Sequence, residues 1–220
     1  MGTDYLPVLF SIDEYPPELE QWVASRFEVL NGRRVHIVRN KDFPADARDV
    51  HPYCLQPWIW DVVPKDTERV LYVDSDMIPL RALPELPDDE FIAALDGTPH
   101  CKRMADIYPA VAADGNFFNS GFFVASRSLR HIFDQMKFFV SSRKSEDPRH
   151  GDHLQTIFNL LIRSATSIKW LPHDYNSVAI TATPKMMSTA ISLHLCAMPL
   201  NARWVIMNAL RTSIGLSKFE

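Results

Sequence analysis

Two carboxylates one residue apart, Asp74 and Asp76, directly follow the apolar stretch 70–73. The length and β-favouring composition of this stretch predict a strand buried on both faces. Because such a core excludes unpaired charges, both carboxylates are expected at the carboxyl end of the strand. Alternate residues of an extended chain point to the same side, so the pair can address one hard cation such as Mn²⁺ or Mg²⁺. An isolated Asp-x-Asp is also common in solvated turns and helix caps, so the rest of the chain must decide.

Isolated polar side chains also stand at three other predicted strand ends or kinks, namely Asp13, Asp96 and Asn119. Taken singly, Asp13 and Asp96 are commonly turn or helix caps, and an amide such as Asn119 commonly satisfies backbone groups at a bulge. In a parallel-rich sheet, however, the carboxyl ends of the strands lie along one edge, where ligands bind. The set is therefore expected to line one cleft.

A third metal ligand is offered by His194, which stands between Leu193 and Leu195 in a late predicted strand. A lone histidine there is most often a hydrogen-bonded core residue, but the two carboxylates require a further protein ligand, and a neutral imidazole suits Mn²⁺. Asp152 is interpreted as a helix N-cap. Its alternative role is contact with a sugar hydroxyl or acid–base chemistry.

The elements that must position these residues predict an α/β protein with a mostly parallel central sheet flanked by helices. The predicted strands are residues 5–12, 34–38, 70–73, 90–95, 116–126, 169–172 and 190–195, and the predicted helices are 18–30, 51–63, 128–142, 152–164 and 202–216. The chain is expected to turn through Pro79 after the two carboxylates, and residues 98–115 are expected to form a loop that covers the site. Residues 1–220 are predicted to form a single domain.

Composition excludes several classes of protein. A formal net charge of −4 without a basic tract argues against a nucleic-acid-binding protein, and no apolar run is long enough to span a membrane. Three widely spaced cysteines match neither a disulfide framework nor a zinc site, which favours reduced thiols in the cytoplasm. The seven glycines build no P-loop and no dinucleotide-binding turn, so the phosphates of a bound nucleotide would require a divalent ion.

Six segments, in order along the chain, resemble nucleotide-sugar-dependent glycosyltransferases of the GT-A fold, most closely family 8 with its galactosyl- and glucosyltransferases. The strongest is Arg-Val-Leu-Tyr-Val-Asp-Ser-Asp at 69–76, which is similar to the family's strand that ends in the metal-binding Asp-x-Asp. The others are Asp13 with Tyr15, Phe-Asn-Ser-Gly-Phe at 118–122, residues 150–159, Leu-Pro with Tyr-Asn at 171–176, and Ser-Leu-His at 192–194.

The resemblance implies an enzyme that moves a sugar from a nucleoside diphosphate sugar, UDP-linked, to a hydroxyl of a glycan or other acceptor, with retention of anomeric configuration. It implies that Asp74, Asp76 and His194 hold Mn²⁺ or Mg²⁺. The residues assigned to the donor are Phe10, Ser11, Asp13, Tyr15, Ser75 and Asn119. The residues assigned to catalysis, which orient the sugar and the acceptor, are Asp96, Asp152 and Gln155.

The chain departs from the family pattern at several places. The metal histidine of the family is followed by a glycine and by a lysine that binds phosphate; here that lysine is absent, and Arg203 is the candidate substitute. An arginine that often precedes the metal strand has no clear match, and Gln56 lies nearest. The family's Asp-Gln pair is interrupted, so either Asp152 or Gln155 is expected to face the sugar. The short C-terminal part indicates a minimal enzyme or one catalytic domain of a longer protein.

Two functions from other classes remain open. A sugar nucleotidyltransferase or phosphatase-like enzyme would use the same Asp-x-Asp for phosphoryl chemistry, with a triphosphate as the substrate of the nucleotidyltransferase. A non-catalytic module that binds sugar nucleotides or glycans would have no activity to lose when Asp74 is replaced.

Overall fold

A computed structural model describes residues 8–11, 21, 25, 36–50, 54–81, 83–96, 116–141, 150–196 and 198–213. The chain divides into two compact units, Met1–Thr67 with Arg130–Leu154 and Glu68–Leu129 with Gln155–Glu220. The single domain predicted from the sequence stays a prediction. Asp13, Tyr15 and the predicted loop 98–115 lie outside the described residues, as does most of the helix predicted at 18–30. No helix in the described ranges has the length and apolar character needed to cross a membrane.

The first unit contains a parallel pair of strands, β1 (Val8–Ser11) and β2 (His36–Arg39), in the register Val8↔His36. The parallel direction agrees with the mostly parallel sheet predicted from the sequence, in which strands 5–12 and 34–38 are joined by a helix. Between the two strands, Gln21 and Ser25 are helical. The core of this unit is formed by Val38, Phe43, Ala47, Leu55 and Trp58.

Two helices of the first unit are α1 (Ile59–Val62) and α2 (Arg130–Ser141). The helix predicted at 51–63 is therefore shorter in the described residues, where a 3₁₀ turn, Gln56–Trp58, precedes α1. Pro57 lies within that turn and has no N–H to donate, which explains why regular α-helix begins only after it. Arg130 of α2 donates to Asp61 Oδ1 of α1 at 2.8 Å.

The second unit contains two sheets. Its strands are β3 (Arg69–Val73), β4 (Met77–Pro79), β5 (Phe91–Leu95), β6 (Phe118–Ser126), β7 (Lys169–Leu171), β8 (Ser177–Val178) and β9 (Ser192–His194). One sheet has the order β3-β6-β5-β7 and the other the order β4-β9-β8. Among all described strands, three of the six pairings are parallel, so the strand directions are mixed where a mostly parallel sheet was expected.

Helix α3 (His150–Ala165) contributes Phe158 to the aromatic core of the second unit. Its ring lies 5.3 Å from Phe118 and 5.1 Å from Phe123, and both pairs meet edge-on, as aromatic rings prefer. Phe91 packs in the same group. The opposite face of the sheet carries Ile92, Ala94, Phe122, Val124 and Leu171, and Met77 of β4 packs against them. Successive residues of β5 therefore face two different cores, which holds the end of this strand firmly.

Two further helices of the second unit are α4 (Pro184–Thr189) and α5 (Leu200–Ser213). Helix α4 was not predicted; Thr183 caps it, with its side chain accepting from Met186 N. Helix α5 agrees with the closing helix predicted at 202–216 over the described residues.

Three details of the predicted elements are wrong. Strand β3 is buried on one face only, since Val70 is 6% exposed but Leu71 and Val73 are 44% and 45% exposed. It is an edge strand that pairs antiparallel with β6, and an antiparallel sheet can expose one face to solvent. The chain at Pro79 forms strand β4 where a turn was expected. Asp152 lies inside α3, because the helix already includes His150, so this residue is not its N-cap.

Candidate functional site

Asp74 and Asp76 lie on the tight turn that joins β3 to β4. Asp74 N donates to Gly121 O of β6 at 2.9 Å, which extends the β3–β6 ladder by one hydrogen bond. Met77 N then donates to Asp74 O at 3.1 Å, so Ser75 and Asp76 are the central residues of a tight turn. The carboxyl-end position predicted for the two carboxylates is confirmed, and Ser75 is exposed between them.

The β4–β9 pairing brings His194 to this turn. Its register places His194 opposite Met77, and Leu195 N donates to Asp76 O at 3.1 Å. His194 Nε2 consequently lies 3.0 Å from Asp76 Oδ1 and 3.6 Å from Asp74 Oδ2. One ligand atom from each of the three residues lies within 4.8 Å of the others, a spacing that one metal ion can bridge.

The donor set fits a divalent cation. The His194 side chain is 1% exposed, whereas the side chains of Asp74 and Asp76 are 31% and 20% exposed. The cluster is therefore buried on the side of His194 and open to solvent on the side of the two carboxylates. His194 Nε2 is itself buried and has no aligned hydrogen-bond partner among the described residues. An imidazole nitrogen combined with two carboxylate oxygens suits Mn²⁺, or Mg²⁺ with more oxygen ligands from solvent or substrate.

The electrostatics of the cluster favour a positive charge at its centre. Burial raises the pKa of Asp74 above its ordinary value, against the lowering effect of His194. Burial alone would also raise the pKa of Asp76, but His194 and Arg203 outweigh it and hold that pKa low. Burial would lower the pKa of His194, but the neighbouring Asp76 and Cys196 raise it to about 10. The carboxylates thus stabilise a cation, whether a proton or a metal.

Gly121 gives the cluster its space. A Cβ atom at this position would lie 2.5 Å from His194 Cε1, 2.6 Å from Asp74 Oδ2 and 2.8 Å from Asn119 Oδ1. These distances are shorter than van der Waals contact, so any side chain would displace two of the candidate ligands and an adjacent amide. The sequence predicts a kink at Asn119, and the β5–β6 register shifts in this region, between Ala93 and Leu95.

A buried polar network lies along the same segment of β6. Gln155 Oε1 accepts from Ser120 N at 3.1 Å, and Gln155 Nε2 donates to Asp96 Oδ2 at 3.3 Å. Asn119 Oδ1 accepts from Gly121 N at 2.8 Å. The structure therefore brings Asp96, Asn119 and Gln155 together along one stretch of β6, next to the cluster of Asp74, Asp76 and His194.

Arg203 reaches the cluster from α5. Its Nη1 donates to Asp76 Oδ2 at 2.8 Å, and its Nε donates to Met198 O at 2.9 Å. Asp76 therefore presents one oxygen to His194 and the other to Arg203. The side chain of Arg203 is 22% exposed, so a fixed positive charge lies beside the candidate metal ligands.

The other sequence-predicted residues have different positions. Gln56 is buried in the first unit. Phe10 and Ser11 lie within β1, and Asp152 lies within α3, but their side chains are outside the described part of the structure. Their roles stay predictions.

The sequence reasoning missed Asn176, whose Oδ1 lies 2.9 Å from His194 Nδ1. The Tyr-Asn pair at 175–176 belongs to one of the segments that carry the resemblance, but that segment implies no role for the amide. Only two features together could have indicated this contact: an asparagine, Asn176, after the predicted strand 169–172, and a histidine, His194, in the predicted strand 190–195.

Comparison with known proteins gives a clear result at the level of fold. Neither a protein-family model nor a curated protein matches the sequence. Among solved structures, the galactosyltransferase LgtC in complex with donor and acceptor sugar analogues is similar with a TM-score of 0.55 at 17% identity, over 91% of this chain and 83% of that chain. The chain has a GT-A glycosyltransferase fold.

Two further structures carry the same GT-A fold. A glycosyltransferase involved in the glycosylation of the major capsid of PBCV-1 has a TM-score of 0.53 at 13% identity, over 90% of this chain and 97% of that chain. Mouse xyloside xylosyltransferase 1, in its apo form, has a TM-score of 0.53 at 12% identity, over 88% of this chain and 86% of that chain. The resemblance predicted from the sequence is thereby confirmed for the fold.

Proposed function

We propose that this protein is a metal-dependent glycosyltransferase that moves a sugar from a UDP-sugar to an acceptor hydroxyl with retention of configuration. The observation that carries the proposal is the cluster of Asp74, Asp76 and His194 on the β3–β4 turn of a GT-A fold. Glycans and other hydroxyl compounds are the proposed class of acceptor.

In this proposal Asp74, Asp76 and His194 would hold Mn²⁺ or Mg²⁺ beside the place where the diphosphate of the donor would bind. The ion supplies Lewis-acid stabilisation of the charge that grows on the leaving diphosphate. Asp74 and Asp76 face the open side of the cluster, so they bind the cation where a donor can reach it. His194 closes the buried side and keeps water from that side.

Arg203 supplies a second positive charge for the leaving group. A guanidinium carries five N–H donors, and the contacts with Asp76 and Met198 occupy only two of them. The remaining donors can bind diphosphate oxygens, which is the role of the lysine that this chain lacks. Because the ion pair also fixes Asp76, Arg203 orients a metal ligand and stabilises charge at the same time.

Asn119, Asp96 and Gln155 are proposed to orient the sugar and the acceptor. With its oxygen held by Gly121 N, Asn119 has its amide nitrogen available as a donor to a sugar hydroxyl. Gln155 uses both ends of its amide, on Ser120 and on Asp96, so it holds the Asp96 carboxylate in one position. Asp96 can then accept from a hydroxyl of the donor sugar or of the acceptor, which contributes to catalysis by positioning.

A thermal-shift screen of nucleotide sugars with and without Mn²⁺ tests the proposal. A donor at 100 times its dissociation constant stabilises the folded state by about 2.7 kcal/mol, which corresponds to a rise in Tm of roughly 5–10 °C for a chain of this size. We expect this rise for a UDP-sugar only when Mn²⁺ is present.

Two results would count against the proposal. If no donor changes the Tm in the presence of Mn²⁺, the donor site is wrong. If the protein consumes a nucleoside triphosphate and a sugar phosphate but releases no UDP and free sugar from a UDP-sugar, the nucleotidyltransferase alternative is correct. Asp74→Asn is the matched variant, and it is expected to lose the Mn²⁺-dependent rise without loss of the fold.

A further inference from the structure

Asn176 contacts the side of the His194 ring that faces away from the metal cluster. Asn176 is 2% exposed, and its Oδ1 lies 2.9 Å from His194 Nδ1. It ends the 3₁₀ turn His173–Asn176, and the strand β8 that follows pairs in parallel with β9, in the register Val178↔His194. The pairing fixes both backbones, so the amide and the imidazole meet in one geometry.

Two arrangements of protons are compatible with this contact. In the first, His194 Nδ1–H donates to Asn176 Oδ1, and Nε2 is free to bind a metal; a doubly protonated ring also needs this amide orientation. In the second, the amide is turned over, Asn176 Nδ2 donates to Nδ1, and Nε2 carries the only ring proton. The second arrangement gives a hydrogen-bonded group that cannot coordinate a cation through Nε2.

We infer that Asn176 is a positioning residue of the metal centre, which accepts a hydrogen bond from His194 Nδ1–H and so directs the Nε2 lone pair at the cation. Nε2 lies between two carboxylates, at 3.0 Å and 3.6 Å, without an aligned hydrogen-bond partner among the described residues. The second arrangement would place an N–H at Nε2, and an N–H at this distance from a carboxylate is expected to align with it. The first arrangement leaves space for a metal there.

This inference rests on the proposed metal site and extends it to the group that holds its histidine. Groups that hydrogen-bond to a ligating histidine fix its tautomer and orientation, and their loss typically lowers metal affinity about 10–100-fold. Asn176 is well suited to this role because it is 2% exposed, so a solvent molecule does not compete with it for the hydrogen bond to His194 Nδ1.

The test is a calorimetric titration of Mn²⁺ into the wild-type protein and three variants. Asn176→Leu keeps the shape but removes the acceptor, and we expect its affinity for Mn²⁺ to fall about 10–100-fold. Asn176→Asp has only acceptors when ionised, so we expect it to bind Mn²⁺ at least as tightly as the wild type. Ser177→Ala is the matched control, since it removes a hydrogen bond to His173 O from the neighbouring residue and leaves the Asn176–His194 hydrogen bond in place; its affinity should not change.

A second measurement uses the wild-type protein and does not depend on the folding of any variant. Long-range ¹H–¹⁵N correlation spectra of the protein saturated with diamagnetic Mg²⁺ should show the His194 ring proton on Nδ1. A proton on Nε2 would overturn the inference. It would also be overturned if N176L bound Mn²⁺ like the wild type, or if N176D lost as much affinity as N176L. Failure of the wild type to bind any divalent ion would instead refute the proposed metal site itself.

Discussion

Gly121 is the residue at which the proposed metal ligands and the proposed sugar-binding amide meet. A methyl group there would lie within 2.8 Å of atoms from His194, Asp74 and Asn119. Because Asn119 lies in β6 and His194 lies in β9, strand pairing holds both residues in place, and the neighbours of the added methyl group cannot all move aside. Gly121→Ala is therefore expected to lower the affinity for Mn²⁺ at least tenfold, as measured by calorimetric titration.

Ala125→Gly is the control for this prediction. It changes one Cβ atom of the same strand at a fully buried position, so it should lower the stability of the protein. It should leave the affinity for Mn²⁺ unchanged. The steric account of Gly121 is wrong if G121A binds Mn²⁺ as tightly as the wild type, or if A125G weakens binding to the same extent.

Arg203 should affect the donor more than the metal. A hydrogen bond to a charged group contributes about 1.5–3 kcal/mol, so Arg203→Ala is expected to weaken UDP binding about 10–100-fold at saturating Mn²⁺. Arg203→Lys keeps one charge but loses the fixed fork of donors, and should recover only part of the affinity. The measurement is competition by UDP against a fluorescent nucleotide.

The matched control for Arg203 is Arg130→Ala. Arg130 has an ion pair of the same length, 2.8 Å, with Asp61 in the first unit. Loss of that pair should leave UDP affinity within twofold of the wild type. If R203A and R130A behave alike, Arg203 does not bind the diphosphate.

At the scale of elements, the sequence predicted the long, strongly patterned pieces well. The strand before Asp74 and the kinked strand at Asn119 were both predicted because apolar and aromatic runs of this length have few alternatives. Strands β4 and β8 were missed because three and two residues carry no measurable period. Their existence depends on pairing with β9, which is a tertiary effect that no local pattern contains.

The missed strand β4 is also the element that completes the cluster. His194 was predicted as a ligand by type and by resemblance, but only the β4–β9 register shows why it lies beside Asp76. Asn176 depends in the same way on the β8–β9 register. The exposed face of β3 could not be foreseen either, because its composition fits burial on one face or on two.

Metal binding should therefore rigidify the β4–β9 pair. The cation would link the β3–β4 turn to β9, whose three-residue ladder is short and has little stability of its own. We expect hydrogen–deuterium exchange measured by mass spectrometry to slow in peptides that cover residues 74–80 and 191–196 when Mn²⁺ is added. Peptides from β5, where Ile92 and Ala93 are 0% exposed, should not change and serve as the internal control.

Slower exchange at other segments would show that the protein binds Mn²⁺ but not at the cluster of Asp74, Asp76 and His194. If Mn²⁺ raises the Tm but exchange slows elsewhere in the chain, the protein binds the metal at another place. The cluster on the β3–β4 turn would then be a structural feature only.

At the scale of the whole molecule, the fold is shared while most residues are not. Identities of 12–17% accompany TM-scores of 0.53–0.55 over roughly nine-tenths of this chain. The cluster is assembled from the segments around Asp74, Gly121, Asn176, His194 and Arg203, which are far apart in the sequence. Each segment alone is a weak signal, and only the fold gives them a common place.

The stereochemistry of transfer provides a prediction for the complete reaction. An inverting enzyme needs a carboxylate base beside the acceptor hydroxyl, and Asp96 is a candidate from the described residues because it lies next to the kinked strand. Gln155 Nε2 donates to this carboxylate, however, which holds it in one orientation and suits it to positioning. We therefore expect an α-linked UDP-sugar to give an α-linked product, observed by ¹H NMR from the anomeric coupling constant during the first turnovers.

Asp96→Asn should keep this stereochemistry and lose less activity than the 10²–10⁴-fold that removal of a general base typically costs. A β-linked first product, together with a loss of that size in D96N, would assign Asp96 as the base of an inverting enzyme.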